Sequence, residues 1–172
     1  KVFKVPKVFN DSKLPKLPFK SKTTKNQKTM NENAILKQRD ADFIRRARQI
    51  LENERKRGVE PSARRLAVLT VFNGADSFHI SYVRALNEIY RMLREGREVK
   101  AEWAQPRELR IAHISARVAS AMAADGSLSV PQALMQVLRE GNAPRFYIGI
   151  PYAMTLLRLA GILLVPPCQR GI

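Results

Sequence analysis

Cysteine and histidine are nearly missing from this chain of 172 residues, which has one cysteine, Cys168, and two histidines, His79 and His113. A single thiol excludes an internal disulfide framework, and two imidazoles with one distant thiol do not make a zinc site. No metal and no cofactor is therefore expected. Aromatics are sparse at 7%, with one tryptophan, which argues against a large aromatic-lined pocket. The chain has no Gly-Lys-Thr/Ser phosphate loop and no Gly-x-Gly-x-x-Gly dinucleotide turn. His79 reads as a ring position on the body and His113 as a helix residue among alanines, so no catalytic constellation emerges and the expectation is a non-enzymatic protein. The longest apolar stretch, 146–166, has the length to span a bilayer. Arg158 near its middle would cost about 2.5–3.5 kcal/mol on insertion scales, and Pro151, Gly149 and Gly161 interrupt it. It reads as a buried terminal helix, with no membrane partner.

Acids are also scarce, 15 against 31 lysines and arginines, for a formal net charge of +16. Charge this lopsided costs self-repulsion unless a polyanion neutralises it. The two basic residue types are segregated. Ten of the twelve lysines lie in residues 1–37, a stretch with no arginine, two acids (Asp11 and Glu32) and a formal charge of +8. All nineteen arginines come later. Pro6, Pro15 and Pro18 oppose a helix in the lysine-rich stretch, and its apolar residues are too few for a core. Residues 1–37 are expected to form an extended arm whose Lys1, Lys4, Lys7, Lys13, Lys16, Lys20, Lys22, Lys25 and Lys28 contact phosphates, with Phe3, Phe9 and Phe19 available to an exposed groove.

Residues 38–172 read as one all-α domain of six helices with an internal repeat at an offset of 68 residues. Ala75, Phe78 and Ile80 recur as Ala143, Phe146 and Ile148; Leu66 as Leu134; Gly58 as Gly126; Ala85 as Ala153. A constant offset held over about fifty residues is the mark of a duplicated unit. The expected architecture is two tandem, pseudo-symmetric three-helix units over about 42–96 and 106–161. Helices are expected at about 42–57, 62–72 and 81–96, then 106–124, 131–139 and 151–160. Glycines at 58, 74, 96, 126, 141 and 161 supply the stops, and Pro106 and Pro151 stand where a first turn tolerates them. The short Phe-His-Ile and Phe-Tyr-Ile segments are β-formers and are expected to bridge each other, with Trp103 packing over the joint.

The binding candidates on the body are arginines, because a guanidinium donates paired hydrogen bonds to phosphate. Arg45, Arg46 and Arg48 have few acids near them in sequence and form the first cluster, and Arg64 and Arg65 open the next helix. Arg145 precedes a helix N-terminus, where anions are favoured, and its counterpart at the offset is Ser77. Arg84, Arg91 and Arg94 are interleaved with Glu88 and Glu95 and read as a salt-bridged surface. The final helix carries only Arg158 and is not a base-reading element of a helix-turn-helix, so phosphate contact without base reading is expected.

The stretch 143–148, Ala-Pro-Arg-Phe-Tyr-Ile, followed by Tyr152 and Ala153, resembles small uncharacterised helical proteins of bacterial phages and mobile elements. The resemblance spans roughly thirty residues, leaves out the lysine-rich arm, and brings no known active site. It implies a virus or mobile-element nucleoprotein. Taken together, the expectation is a structural or accessory protein of a large nucleoprotein assembly. Its partners would be nucleic acid, DNA ahead of RNA, and neighbouring protein subunits. Its place would be intracellular (cytoplasmic or nucleoid-associated) or inside a virus particle. The competing expectation is a virion or scaffold component whose arm docks onto neighbouring protein subunits.

Overall fold

The computed structural model describes residues 2–3, 25–95, 99–100 and 104–162, with side chains described over 32–95 and 104–162. The fold is all-helical, as the sequence predicts. Among the described residues there are six helices: α1 (Lys25–Lys56), α2 (Ala63–Phe72), α3 (Tyr82–Glu95), α4 (Pro106–Ala124), α5 (Val130–Glu140) and α6 (Ile150–Leu159). A two-residue antiparallel ladder pairs β1 (Val2–Phe3) with β2 (Val99–Lys100).

Local chemistry explains the starts of four helices. The Ser62 hydroxyl accepts from the backbone N–H of Arg65 at 3.3 Å and opens α2; Glu108 accepts from the N–H of Gln105 at 3.3 Å and opens α4; Gln132 accepts from the N–H of Ser129 at 2.9 Å and opens α5. These side chains satisfy or tie down backbone donors that a first helical turn leaves unpaired. α4, α5 and α6 each carry a proline in the first turn, where its lost N–H costs nothing.

The start of α1 corrects an expectation. The arm was expected to stay extended through residue 37 and the first helix to begin near Asp42, yet α1 begins at Lys25. Pro18 is the last proline before the helix, and no glycine follows it until Gly58. The intervening Lys, Gln, Glu, Ala and Leu residues have high helix propensity. Lysine content marks charge, not backbone state.

The compact units also differ from the tandem ones expected at 42–96 and 106–161. Residues 38–76 and 142–172 form one unit; residues 1–37 and 77–141 form the other. The first therefore holds the greater part of α1, α2 and α6, while the second holds α3, α4 and α5. The third helix of each expected repeat lies with the first two helices of the other. Three helix boundaries nonetheless keep the 68-residue offset: α1 and α4 end at 56 and 124, α2 and α5 at 72 and 140, and α3 and α6 begin at 82 and 150. Burial follows the same offset. Leu66 and Leu134, Ala75 and Ala143, Phe78 and Phe146, and Ala85 and Ala153 are all buried.

In the unit built from α1, α2 and α6, the ring of Phe146 meets that of Phe43 edge-on, with centroids 5.4 Å apart and planes at 89°. The N–H of Phe146 donates to the carbonyl of Val71 at 2.9 Å, and that of Ala75 to the carbonyl of Ala143 at 2.8 Å. The isolated β-bridge is thus Ala75 with Ala143, three residues upstream of the Phe-x-Ile segments expected to form it. Bridging brings the backbones close. A Cβ on Gly74 would sit 3.4 Å from the Ala143 carbonyl oxygen, and Gly74 holds φ +85°, a region glycine enters freely. Its counterpart Asn142 holds φ 54°.

In the unit built from α3, α4 and α5, the buried Arg110 donates to the His79 carbonyl at 3.0 Å, and Arg117 donates to the Gly141 carbonyl at 2.9 Å. Arg117 also lies over the Phe78 ring at 5.3 Å. These two arginines act on backbone and core and are not surface cations. His79 and Tyr147, matched at the offset, are both buried. Trp103 and Cys168 lie outside the described residues.

Two outcomes follow from this packing. Phe146→Ala leaves a cavity beside Phe43 and is expected to cost about 3–5 kcal/mol, measured by urea unfolding. The Tyr152 hydroxyl donates to Asp40 at 2.7 Å; that hydrogen bond, with lesser help from burial, raises the Tyr152 pKa. A raised folded pKa means the stabilisation is complete below the unfolded tyrosine pKa of about 10 and is lost as pH rises through the folded value. Ultraviolet titration of Tyr152→Phe is expected to lose one late phenol ionisation.

Candidate nucleic-acid interface

Most acids among the described residues of the body are already committed. Asp76 accepts from both Arg45 (2.8 Å) and Arg46 (2.9 Å), and Asp42 accepts from Arg45 at 2.9 Å. The cluster expected to have few acids nearby therefore has two acid partners, one of them brought from 30 residues away by the turn after α2. Sequence distance hid Asp76 because that turn, pinned by the Asp76 carbonyl accepting from the N–H of Asn142 at 3.1 Å, lies beside α1. Glu54 holds Arg57 and Arg65; Glu60 holds Arg55; Glu52 holds Lys56. Glu88 accepts from Arg91 and Arg107, and Glu32 forms a looser ion pair with Arg84 at 3.6 Å. The salt-bridged reading of the α3 arginines thus fits Arg84 and Arg91. Glu108, Asp125 and Glu140 take neutral donors instead.

Six arginines have no carboxylate partner among the described residues: Arg48, Arg64, Arg94, Arg139, Arg145 and Arg158. Of the predicted contact residues, Arg48, Arg64 and Arg145 keep their cations available; Arg45, Arg46 and Arg65 are occupied. Lys25 and Lys28 belong to the first turn of α1, while Lys1, Lys4, Lys7, Lys13, Lys16, Lys20 and Lys22 lie outside the described residues, as do Phe9 and Phe19.

Arg48 lines an open concavity of about 650 Å³ together with Glu52, Arg55 and Lys56 from α1 and Ala160 to Ile162 after α6. Arg55 and Lys56 reach it already paired, so Arg48 is its uncompensated charge. Arg145 occupies a different setting. Its guanidinium lies 4.2 Å from the centroid of the Phe72 ring, and its buried Nε has no hydrogen-bond partner among the described residues. Burial lowers the Arg145 pKa, opposed in part by Tyr147, yet a guanidinium stays charged throughout the physiological range. A partly desolvated cation without a carboxylate has already lost hydration that an incoming anion would otherwise have to strip.

Phe72 is the element that sequence reasoning overlooked. It is the last residue of α2 and is 58% exposed. Among the described residues, no group of three or more His, Cys, Asp or Glu side chains could hold a metal ion, and no helix is long and apolar enough to cross a membrane. Comparison with models of protein families, with curated proteins and with solved structures returned no match.

Asp76→Asn tests how far the pairs constrain the arginines. Asp76 and Arg45 are exposed and Arg46 is half-buried, so the change in stability is expected to stay under about 1 kcal/mol by thermal or urea unfolding. A larger loss would mean that Asp76 holds the turn after α2 in place.

Proposed function

We propose that this chain is a non-enzymatic nucleic-acid-binding protein of a larger nucleoprotein assembly, gripping phosphates without reading bases in a duplex groove. The observation that carries this reading is the unspent positive charge. Eleven described acids are engaged by arginines, by a lysine or by neutral donors, and six described arginines have no carboxylate partner among the described residues. Seven lysines of the first 24 residues add to that surplus. Cations without internal partners are a cost to the folded protein that a polyanion relieves. Their spacing supports phosphate contact: they are spread over several helices, whereas base reading in the major groove concentrates contacts on one recognition helix. α6, which would be that helix in the second repeat, carries one arginine.

Fluorescence anisotropy of labelled duplex DNA, single-stranded DNA and structured RNA, titrated with the full chain over a salt series, tests the reading. Affinity is expected to fall steeply as salt rises, with a slope that counts the phosphates neutralised. Because α1 begins at Lys25, a chain starting there keeps every helix. Its slope on duplex DNA is expected to be shallower by up to about 6, the loss of seven lysine contacts. Failure of the full chain to bind all three probes near physiological salt would overturn the reading and turn the basic segment into a strap for acidic protein surface.

A further inference from the structure

Helix α2 carries its exposed side chains in an unusual order. Arg64, Val68 and Phe72 are spaced four apart and therefore share one face, and all three are exposed. Val68 and Phe72 are apolar yet 37% and 58% exposed, respectively. The helix contains no acid. Arg145 lies on the Phe72 ring, so the face ends in an aromatic ring and a guanidinium plane in contact, while Arg64 stands two turns away without a carboxylate partner among the described residues.

The chain holds its own point of comparison. At the 68-residue offset, Arg64, Val68 and Phe72 become Gln132, Gln136 and Glu140 on α5, all exposed. There Gln136 donates to Glu140 at 2.9 Å, and Arg145 becomes Ser77. The α5 face is neutral to acidic and internally hydrogen-bonded; the α2 face is cationic and aromatic. Packing does not demand the difference, since both faces point away from the core that each helix buries.

We infer that the α2 face, Arg64, Val68, Phe72 and Arg145, is a stacking platform for single-stranded nucleic acid. This rests on the nucleic-acid reading above and sharpens it to unpaired strands. An unpaired base lies on the Phe72 and Arg145 planes, and Arg64 takes a neighbouring phosphate. Every base has a π-face, so stacking on a ring or a guanidinium is tolerant of sequence and accessible only when the base is unpaired. Charge decides the class of occupant. A purely apolar partner would leave Arg64 and Arg145 without a counter-charge, while a strand supplies ring and anion at a repeat that long side chains can bridge.

The test compares two probes with the same number of phosphates, an oligo-thymidine and an abasic strand of equal length, on the full chain. The wild type is expected to bind oligo-thymidine at least about tenfold more tightly. Phe72→Ala should lower the oligo-thymidine affinity by about 5- to 100-fold while leaving the abasic affinity within about twofold and the salt slope unchanged. Arg145→Lys keeps the charge but not the plane and should lose most of the same preference. Phe72→Tyr should retain it. Met135→Ala, an exposed apolar change on α5, should alter neither probe, and circular dichroism checks that each variant stays helical. Equal binding of both probes by the wild type overturns the platform and leaves phosphate gripping intact. Oligo-thymidine binding indifferent to Phe72→Ala does the same and assigns the face to a protein partner. Binding of neither probe overturns the parent reading as well.

Discussion

The strap from Asn142 to Ile148 is the constraint on which one whole unit depends. α1 and α2 present Phe43, Leu66 and Val71 with no consecutive third helix to cover them. The strap brings one from about 75 residues downstream. It inserts Phe146 against Phe43, donates its N–H to the Val71 carbonyl, and bridges Ala143 to Ala75. Only then does α6 bury Ala153, Leu156 and Leu157. Closing a loop of that length costs entropy that rises slowly with length, and a buried aromatic pair with two backbone hydrogen bonds is the kind of contact that offsets it. The close approach also explains the conformations at its edge, with glycine at 74 and asparagine at 142 both at positive φ.

Charge is arranged by the same geometry. The turn that makes the bridge carries Asp76 to Arg45 and Arg46, so the arginine cluster that looks freest in sequence is among the best neutralised. Conversely, Arg145 sits in the strap, is drawn partly out of water, and has an aromatic ring where a carboxylate would ordinarily be. Ion pairs among exposed side chains contribute little to stability. Their larger effect here is to decide which cations remain for a partner: Arg48, Arg64, Arg145 and Arg158 on one unit, Arg94 and Arg139 on the other.

The 68-residue offset ties these features together. Helix ends, buried positions and the paired positive-φ residues repeat, so the features needed for folding are held in common. The exposed face of the second helix does not repeat. It is Arg, Val and Phe in one instance and Gln, Gln and Glu in the other. Residues that serve only packing should match at the offset, and residues that serve a partner need match only where the partner is. The α2 face therefore stands out as the part of the surface that the fold leaves free to specialise.

Much of this was legible in the residues alone. Helical periodicity, glycine stops, prolines at first turns and the constant offset determine an all-helical body with six helices, because each is a local or strictly periodic property of the chain. The segregation of lysine from arginine is likewise plain in the sequence. Charge does not mark the start of α1, since lysine favours a helix as readily as it favours solvent. Only the tertiary structure decided which third helix completes which unit, for either exchange buries the same apolar stripes and hydrophobic burial carries no direction. The same holds for the pairing of Asp76 with Arg45 and Arg46 and the exposure of Phe72: they depend on residues far apart in sequence that the strap and its turn bring together, and no local pattern encodes that meeting.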